Sequence, residues 1–266
     1  MFAPKRMSLI LVILCAISAV LCQYDVSKEL EPKGKLRVRP DYNLALSWPT
    51  YYAADKDPQP PRTWFFSSNL NFKDSVDKIK GEQLWQIAID GYNEALEEAA
   101  RYGIRERGKP GAMTVLAWDR YIILASSMKG VMSFSYAMEE TPVSKTLEEC
   151  ETVWKNAGNP KNKLKHMNQA KYGELMAAQI YYSNGGKDLG QQKHRVRTVA
   201  WNKAANAPLP RAPCGEPAEG RWGCDLFVQK HPMTYLDVNL KREEYALDQL
   251  TGGPPVITQK PLCGSR

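Results

Sequence analysis

The stretch that decides the fold reads Lys-Tyr-Gly-Glu-Leu-Met-Ala-Ala over residues 171–178. From Glu174 to Tyr182 the composition favours a helix, and an Asn-Gly-Gly run at 184–186 supplies residues that end one. A Pro-Cys pair follows at positions 213 and 214, and another cysteine stands at position 224. The stretch therefore predicts a helix whose first turn carries a carboxylate, with two thiols further along the chain.

Upstream of this helix the pattern changes from helical to extended. Residues 74–102 carry apolar side chains at three- and four-residue spacing, which predicts a long helix. Two apolar runs at 112–118 and 121–127 are separated by two polar residues, which predicts a β-hairpin. A shorter helix is predicted at 146–153, before the polar, basic loop that leads back to the central stretch.

Downstream the chain continues to alternate. We expect a strand at 194–201, a Pro-rich turn at 208–213, a helix at 225–230 and another strand at 235–240. Mixed alternation of this kind predicts one α/β domain over residues 63–250, a three-layer sheet with helices on both faces.

The two ends of the chain have their own character. Residues 1–22 combine a basic start with an apolar run of about fourteen residues, which is typical of a secretory signal and short for a membrane span. The mature chain is therefore expected to be secreted and extracellular, without stable membrane insertion after signal removal. Residues 23–62 read as an extended, irregular Pro-rich arm, and residues 251–266 as an irregular Gly/Pro-rich tail.

The charge balance is mildly basic. The formal net charge is +7, and removal of the signal takes away two cationic residues, Lys5 and Arg6. This balance can attract nucleic acid or a cell surface, although an ordinary solvated surface explains it equally well. Within the strand at 194–201, Arg195, Arg197 and Trp201 are the candidate nucleic-acid-binding residues, because cations beside an aromatic ring suit phosphate contact and base stacking.

Cysteine usage allows a second interpretation of the central residues. Two of the six cysteines fall in or at the edge of the signal, and Cys150, Cys214, Cys224 and Cys263 remain. Four cysteines in a secreted chain are typical of two disulfides, with three possible pairings. A bond between Cys214 and Cys224 would close a short ring.

The order of these elements resembles the cytidine deaminase-like fold, and more specifically the secreted, toxin-related nucleic-acid deaminase-like proteins of fungi. Three passages carry the resemblance: the hairpin, the stretch 171–178, and the Pro-Cys pair with Cys224. By this resemblance Glu174 is the proton-shuttling catalytic residue, Cys214 and Cys224 are thiolate ligands of a zinc cofactor, and Tyr172 occupies the first-ligand position. The implied partner is a nucleobase or a nucleic acid.

Two departures from the family pattern leave alternatives open. Tyr172 stands where the family has His or Cys, and a neutral phenol is a poor zinc ligand. His166, on the loop before the helix, is an alternative source of a nitrogen ligand. Residues 215–223 lengthen the segment between the two cysteines, where the usual spacing is two residues.

The sequence therefore leaves two classes of function. The first is a zinc-dependent deaminase, active or degenerate. The second is a non-enzymatic secreted effector or interaction protein, held by disulfides, that binds a host or cell-surface partner. A serine hydrolase is unsupported, because Ser126, Ser127 and Ser133 lack a Gly-x-Ser-x-Gly context.

Overall fold

The structure is a computed structural model that describes residues 28–47, 62–130, 133–159, 163–231 and 233–262. The predicted signal at 1–22 and the cysteine at position 263 lie outside these ranges. Among the described residues, no helix has both the length and the apolar character needed to cross a membrane.

A mixed sheet forms the centre of the fold. The described strands are β1 Arg39–Pro40, β2 Phe66–Asn71, β3 Ala112–Trp118, β4 Tyr121–Ser126, β5 His194–Asn202, β6 Ala207–Arg211, β7 Thr234–Tyr235 and β8 Val256–Thr258. They lie in the order β1-β2-β4-β3-β5-β6, and these neighbours are antiparallel. β7 pairs in parallel with β5, and β8 pairs with β2.

Helices cover both faces of the sheet. They are α1 Tyr42–Ser47, α2 Gly81–Arg101, α3 Phe134–Ala137, α4 Pro142–Asn156, α5 Gly173–Ser183 and α6 Cys224–Lys230. Successive strand residues point to opposite faces, so Val115 and Leu124 join the core beneath α2, whereas Leu116 and Ile123 join the core beneath α5. The predicted α/β class, with helices on both faces of one sheet, is confirmed.

Most of the predicted elements occur close to their expected positions. The hairpin forms as β3 and β4 with Trp118 opposite Tyr121. Asp119 takes the left-handed φ of 45° in its turn, a conformation that aspartate tolerates better than most residues. The helix predicted at 146–153 is longer, because Thr141 caps it by accepting a hydrogen bond from the Ser144 amide and Pro142 suits its first position.

Two downstream predictions were wrong in detail. The Pro-rich segment predicted as a turn at 208–213 instead forms β6, which pairs with β5 at the edge of the sheet. An edge strand tolerates proline, because the missing amide hydrogen is not needed for a second ladder. The strand predicted at 235–240 is reduced to the two residues of β7.

The chain ends are also less irregular than predicted. The tail contains β8, which adds to the sheet beside β2. The described part of the arm is held by Glu94 of α2, whose carboxylate accepts hydrogen bonds from the amides of Leu36 and Val38. Both side chains are fully buried, so this part of the arm belongs to the core.

The start of α5 packs unusually close to the hairpin, and Gly173 permits it. A Cβ atom added at Gly173 would collide with the Thr114 hydroxyl and lie 2.9 Å from the carbonyl oxygen of Ala125. Real Cβ atoms do not approach a backbone oxygen this closely, so only glycine fits without displacing the helix from β3 and β4.

Substituting this glycine tests the packing. We expect Gly173→Ala to lower the free energy of unfolding by about 1–3 kcal/mol, because the added methyl overpacks a rigid contact. Gly111→Ala is the control: its Cβ would meet nothing nearer than the Lys129 ammonium at 3.4 Å. Denaturant titration should show a change within about 0.5 kcal/mol for the control. Equal stability of the two variants would contradict the packing argument.

Candidate metal centre

Three metal-ligating side chains meet beneath the start of α5. The Nε2 atom of His166 lies 3.8 Å from the Sγ atom of Cys214 and 3.5 Å from that of Cys224. The two sulfurs are 2.8 Å apart and belong to unbonded thiols. All three side chains are buried, so a nitrogen and two sulfurs converge on one point away from solvent.

The two cysteines are brought together by the turn into α6. The Cys224 amide donates a hydrogen bond to the sulfur of Cys214 at 3.1 Å, and the Asp225 amide donates to the Cys214 carbonyl at 2.8 Å. A Cβ atom on Gly223 would lie 2.8 Å from the Cys214 sulfur, so glycine is needed for this approach. The lengthened segment between the cysteines thus folds back and restores their proximity.

The same lengthened segment positions His166. Its Trp222 is fully buried, contacts the imidazole edge-on at a centroid distance of 5.3 Å, and accepts a hydrogen bond from the Met167 amide through its carbonyl. The Nδ1 atom of His166 accepts a hydrogen bond from the Ala170 amide at 3.2 Å and also lies against the Met167 carbonyl. The other ring nitrogen, Nε2, faces the two sulfurs.

A strained turn links His166 to the start of α5. Asn168, Gln169 and Ala170 have φ angles of 61°, 54° and 54°, three successive left-handed residues without a glycine. Each such residue costs roughly 1–3 kcal/mol and persists only where surrounding structure imposes it. Here the turn places His166 beside the thiols while the chain continues directly into Tyr172.

Glu174 lies next to the cluster and is completely buried. Its Oε1 atom accepts hydrogen bonds from the hydroxyls of Thr198, at 3.0 Å, and Tyr235, at 2.7 Å. Its Oε2 atom lies 3.6 Å from the Cys224 sulfur, while the Thr198 hydroxyl also contacts that of Thr114 at 2.8 Å. The carboxylate is therefore oriented by hydroxyl groups of β5 and β7, with one oxygen towards the thiols.

The two thiols have opposite ionisation tendencies. A hydrogen bond from Cys224 lowers the pKa of Cys214 to about 6, with a further contribution from His166 and against the effect of burial. Complete burial, together with the neighbouring Cys214 and Glu174, raises the pKa of Cys224 well above its usual value. These shifts favour ionisation of Cys214 over ionisation of Cys224.

The donor set fits zinc after one adjustment. Tetrahedral zinc with usual bond lengths separates nitrogen from sulfur by about 3.6 Å and two sulfurs by about 3.8 Å. The two observed nitrogen–sulfur distances match, and the sulfurs must separate by about 1 Å to admit the ion. One histidine and two cysteines is a donor set used by catalytic zinc sites, which keep a fourth position open.

Tyr172, predicted at the first-ligand position, lies near the two cysteines as a phenol. It precedes the first residue of α5, and its half-buried ring packs on the core beneath that helix. Burial, and then the nearby Cys214, raise the pKa of its phenol, so the group stays neutral. The structure brings His166, the alternative nitrogen ligand, together with the two cysteines.

The predicted nucleic-acid-binding residues divide into two kinds. The guanidinium of Arg195 donates to the carbonyls of Ile79 and Val76, and that of the buried Arg197 donates to the Asp237 carbonyl. Of the three predicted residues, only Trp201 is exposed, with 42% of its surface accessible. The two arginines therefore hold neighbouring segments against β5.

The predicted disulfides find no counterpart among the described residues. Cys150, Cys214 and Cys224 are all unbonded, and Cys150 is buried on α4. Desolvation raises the pKa of Cys150 to about 12, so it behaves as an apolar core residue.

Sequence reasoning missed Thr198 and Tyr235, the hydroxyl donors to Glu174. Neither residue belongs to a recognisable motif, and Tyr235 approaches Glu174 only because β7 pairs with β5. Comparison of the chain with protein-family models, with curated proteins and with solved structures finds no match.

Removal of single ligands tests the cluster. We expect His166→Ala, Cys214→Ala and Cys224→Ala each to weaken zinc binding by more than about 100-fold, because loss of a ligand exceeds the cost of losing an outer-shell partner. Tyr172→Phe and Cys150→Ala are matched controls that should keep about one zinc per chain, measured by elemental mass spectrometry. Loss of zinc in Tyr172→Phe with retention in His166→Ala would reverse the assignment of the third ligand.

Thiol labelling tests the ionisation of the pair. Because a lowered pKa populates the thiolate at neutral pH, iodoacetamide should modify Cys214 in reduced, metal-free protein with a midpoint near pH 6. Cys150, with its raised pKa, should stay unmodified at pH 8 until the protein unfolds. Peptide mass spectrometry reads both sites in one sample. A Cys214 midpoint above pH 8 would contradict the lowered pKa of Cys214.

Proposed function

We propose that the protein is a secreted, zinc-dependent deaminase that acts on an amino-substituted nucleobase. The observation that carries the proposal is a buried, hydroxyl-oriented carboxylate, Glu174, beside a histidine and two cysteines. These side chains support a metal centre with an acid–base group. The step from metal centre to deamination rests on the resemblance in element order and on the place of Glu174 in the first turn of a helix.

The element order gives the proposal further support. A long helix, a hairpin, the helix with Glu174, a strand and a helix that begins at Cys224 occur in this order along the chain. Further elements lie between them: α3 and α4 after the hairpin, and β6 after β5. This is the order that the resemblance implies. His166 removes the main objection to the chemistry, because it supplies the nitrogen ligand that Tyr172 cannot.

The residues have separate roles in the proposed reaction. His166, Cys214 and Cys224 would hold zinc, which when bound lowers the pKa of water to near 7. Deamination requires a proton to be taken from the attacking water and a proton to be given to the leaving amine. Glu174 can do both in turn because it does not belong to the ligand group.

The hydroxyls around Glu174 prepare it for this role. Tyr235 and Thr198 both donate to Oε1, which fixes the carboxylate plane and leaves Oε2 on the side of the cluster. The pKa of the Tyr235 phenol is raised well above its usual value by burial and by Glu174, so Tyr235 stays a donor. A fixed carboxylate avoids reorganisation during the reaction.

A second candidate is a non-enzymatic secreted interaction protein. The short separation of the Cys214 and Cys224 sulfurs favours it, because a small movement would bring them to bonding distance in an oxidising compartment. A disulfide between them would remove both thiolate ligands. The cysteine pair can therefore bind a metal or form a disulfide, but not both at once, and each form supports one of the two candidates.

Activity measurements on a Glu174 variant test the proposal. We expect zinc-loaded wild-type protein to release ammonia from cytosine or adenine compounds, offered as bases, nucleosides, nucleotides and single strands. Glu174→Gln should keep its zinc and lose at least about 100-fold in rate, the usual contribution of a general acid–base group. Glu94→Gln, which alters a buried carboxylate on α2, should keep its activity.

Two results would overturn the proposal. One is a zinc-loaded wild-type protein that releases no ammonia from any of these compounds. The other is a protein purified from an oxidising medium with no zinc and with Cys214 bonded to Cys224 in peptide mass spectra. The second result would favour the non-enzymatic candidate.

A further inference from the structure

A basic cleft of about 640 Å³ is lined in part by chain neighbours of His166, Glu174 and Cys214. Three cationic side chains line it, those of Lys129, Lys171 and Arg211, together with the aromatic rings of Tyr172 and Trp201. No carboxylate is found among the described residues of its lining. The volume falls within the usual range for a small-molecule site.

Two of the cations that line this cleft lack an ion-pair partner among the described residues. Lys129 and Arg211 have no carboxylate within ion-pair distance among the described residues, whereas lysines elsewhere, such as Lys80 with Glu243, have one. The Lys171 ammonium donates to the carbonyl of Gly130, another residue of the lining, at 2.7 Å. Lys129 and Arg211 therefore give the cleft a positive potential that a bound anion would neutralise.

The segments that build the metal centre also build the cleft. Asn168 and Gln169 of the left-handed turn line it, two and three residues after His166. Tyr172 lines it two residues before Glu174, and Arg211 lines it three residues before Cys214. A ligand in the cleft would therefore lie against the same chain segments that carry His166, Cys214 and Glu174.

The aromatic residues suit a ligand that carries a base. Trp201 is exposed at the end of β5, and an exposed indole beside cations is the combination that binds a stacked base and its phosphate. Arg195 and Arg197 do not line the cleft, and their guanidinium groups donate to carbonyls of the protein. Lys129, Lys171 and Arg211 provide the cationic side instead.

We infer that this cleft is a phosphate-binding subsite, so that the ligand presents its base as part of a phosphate ester and not as a free base or nucleoside. The inference rests on the proposed function for the chemistry that follows binding. The binding itself depends only on the cleft. Two sources share the required chemistry, a mononucleotide and a single-stranded polynucleotide.

Binding measurements that need no turnover test the inference. Fluorescence anisotropy of a labelled single-stranded oligonucleotide is measured with full-length wild-type protein and with Glu174→Gln, at two salt concentrations. We expect Lys129→Gln and Arg211→Gln each to weaken binding roughly tenfold and to reduce the salt dependence by about one charge. Trp201→Ala should weaken binding by at least about fivefold through lost stacking.

Controls and competitors make the result specific. Lys155→Gln, an exposed lysine on α4 outside the cleft, should bind as the wild type does. Unlabelled nucleosides should compete far less well than their 5′-monophosphates or a single strand. Strong competition by monophosphates identifies a single-phosphate site, and competition by strands alone identifies a polynucleotide track. Either pattern upholds the inference.

Three results would overturn it. They are unchanged binding by the Lys129 and Arg211 variants, an equal loss in Lys155→Gln, and competition by nucleosides that matches their monophosphates. Failure of the proposed function looks different. If no compound releases ammonia but oligonucleotide binding still depends on Arg211, the phosphate-binding subsite stands and the deaminase proposal fails. Efficient deamination of a nucleoside by Arg211→Gln would have the reverse result: the deaminase proposal stands and the phosphate-binding subsite does not.

Discussion

The structure depends on the close contact between the start of α5 and the hairpin of β3 and β4. Gly173 makes this contact possible, and it carries Glu174 into a position without solvent. A buried carboxylate without partners would cost several kcal/mol, so the surrounding strands must supply donors. Thr198 and Tyr235 do so from β5 and β7. The close packing of α5 on the hairpin therefore requires hydrogen-bond donors for the buried carboxylate. The order of the central strands places those donors beside it.

The ligand cluster is assembled around that constraint from segments with little regular structure. His166 comes from a loop that ends in a left-handed turn, and the cysteines flank a lengthened segment that closes on itself. Trp222 joins the two parts, because it contacts the imidazole and bonds to the backbone on either side of His166. The lengthened segment between the cysteines thus positions the third ligand, His166. This role explains why the spacing departs from the two residues usual in the family.

The separation of the two cysteine sulfurs lies between that of a zinc site and that of a disulfide. The sulfurs are closer than a zinc site requires and further apart than a bond requires. A hydrogen-bonded thiol and thiolate are compatible with either outcome, because the thiolate is both the metal ligand and the nucleophile of disulfide formation. The metal supply and redox state of the surroundings, and not the fold, would then decide which state the protein adopts.

Local sequence patterns were sufficient where each element determines its own structure. The apolar periodicity of α2, the two runs of the hairpin and the composition of α5 predicted these elements and the α/β class. The patterns failed where a distant partner decides: β6 is a strand because β5 lies beside it, and β8 because β2 does. The described part of the arm is ordered by Glu94 for the same reason.

The candidate site divides in the same way. By itself the sequence determined that Glu174 opens a helix and that two cysteines follow, since spacing and residue type are local properties. Only the tertiary structure decided that His166 joins the cysteines, because a strained turn and Trp222 set the imidazole's position. It also decided that Arg195 and Arg197 hold the protein together, because their guanidinium groups meet carbonyls from distant parts of the chain.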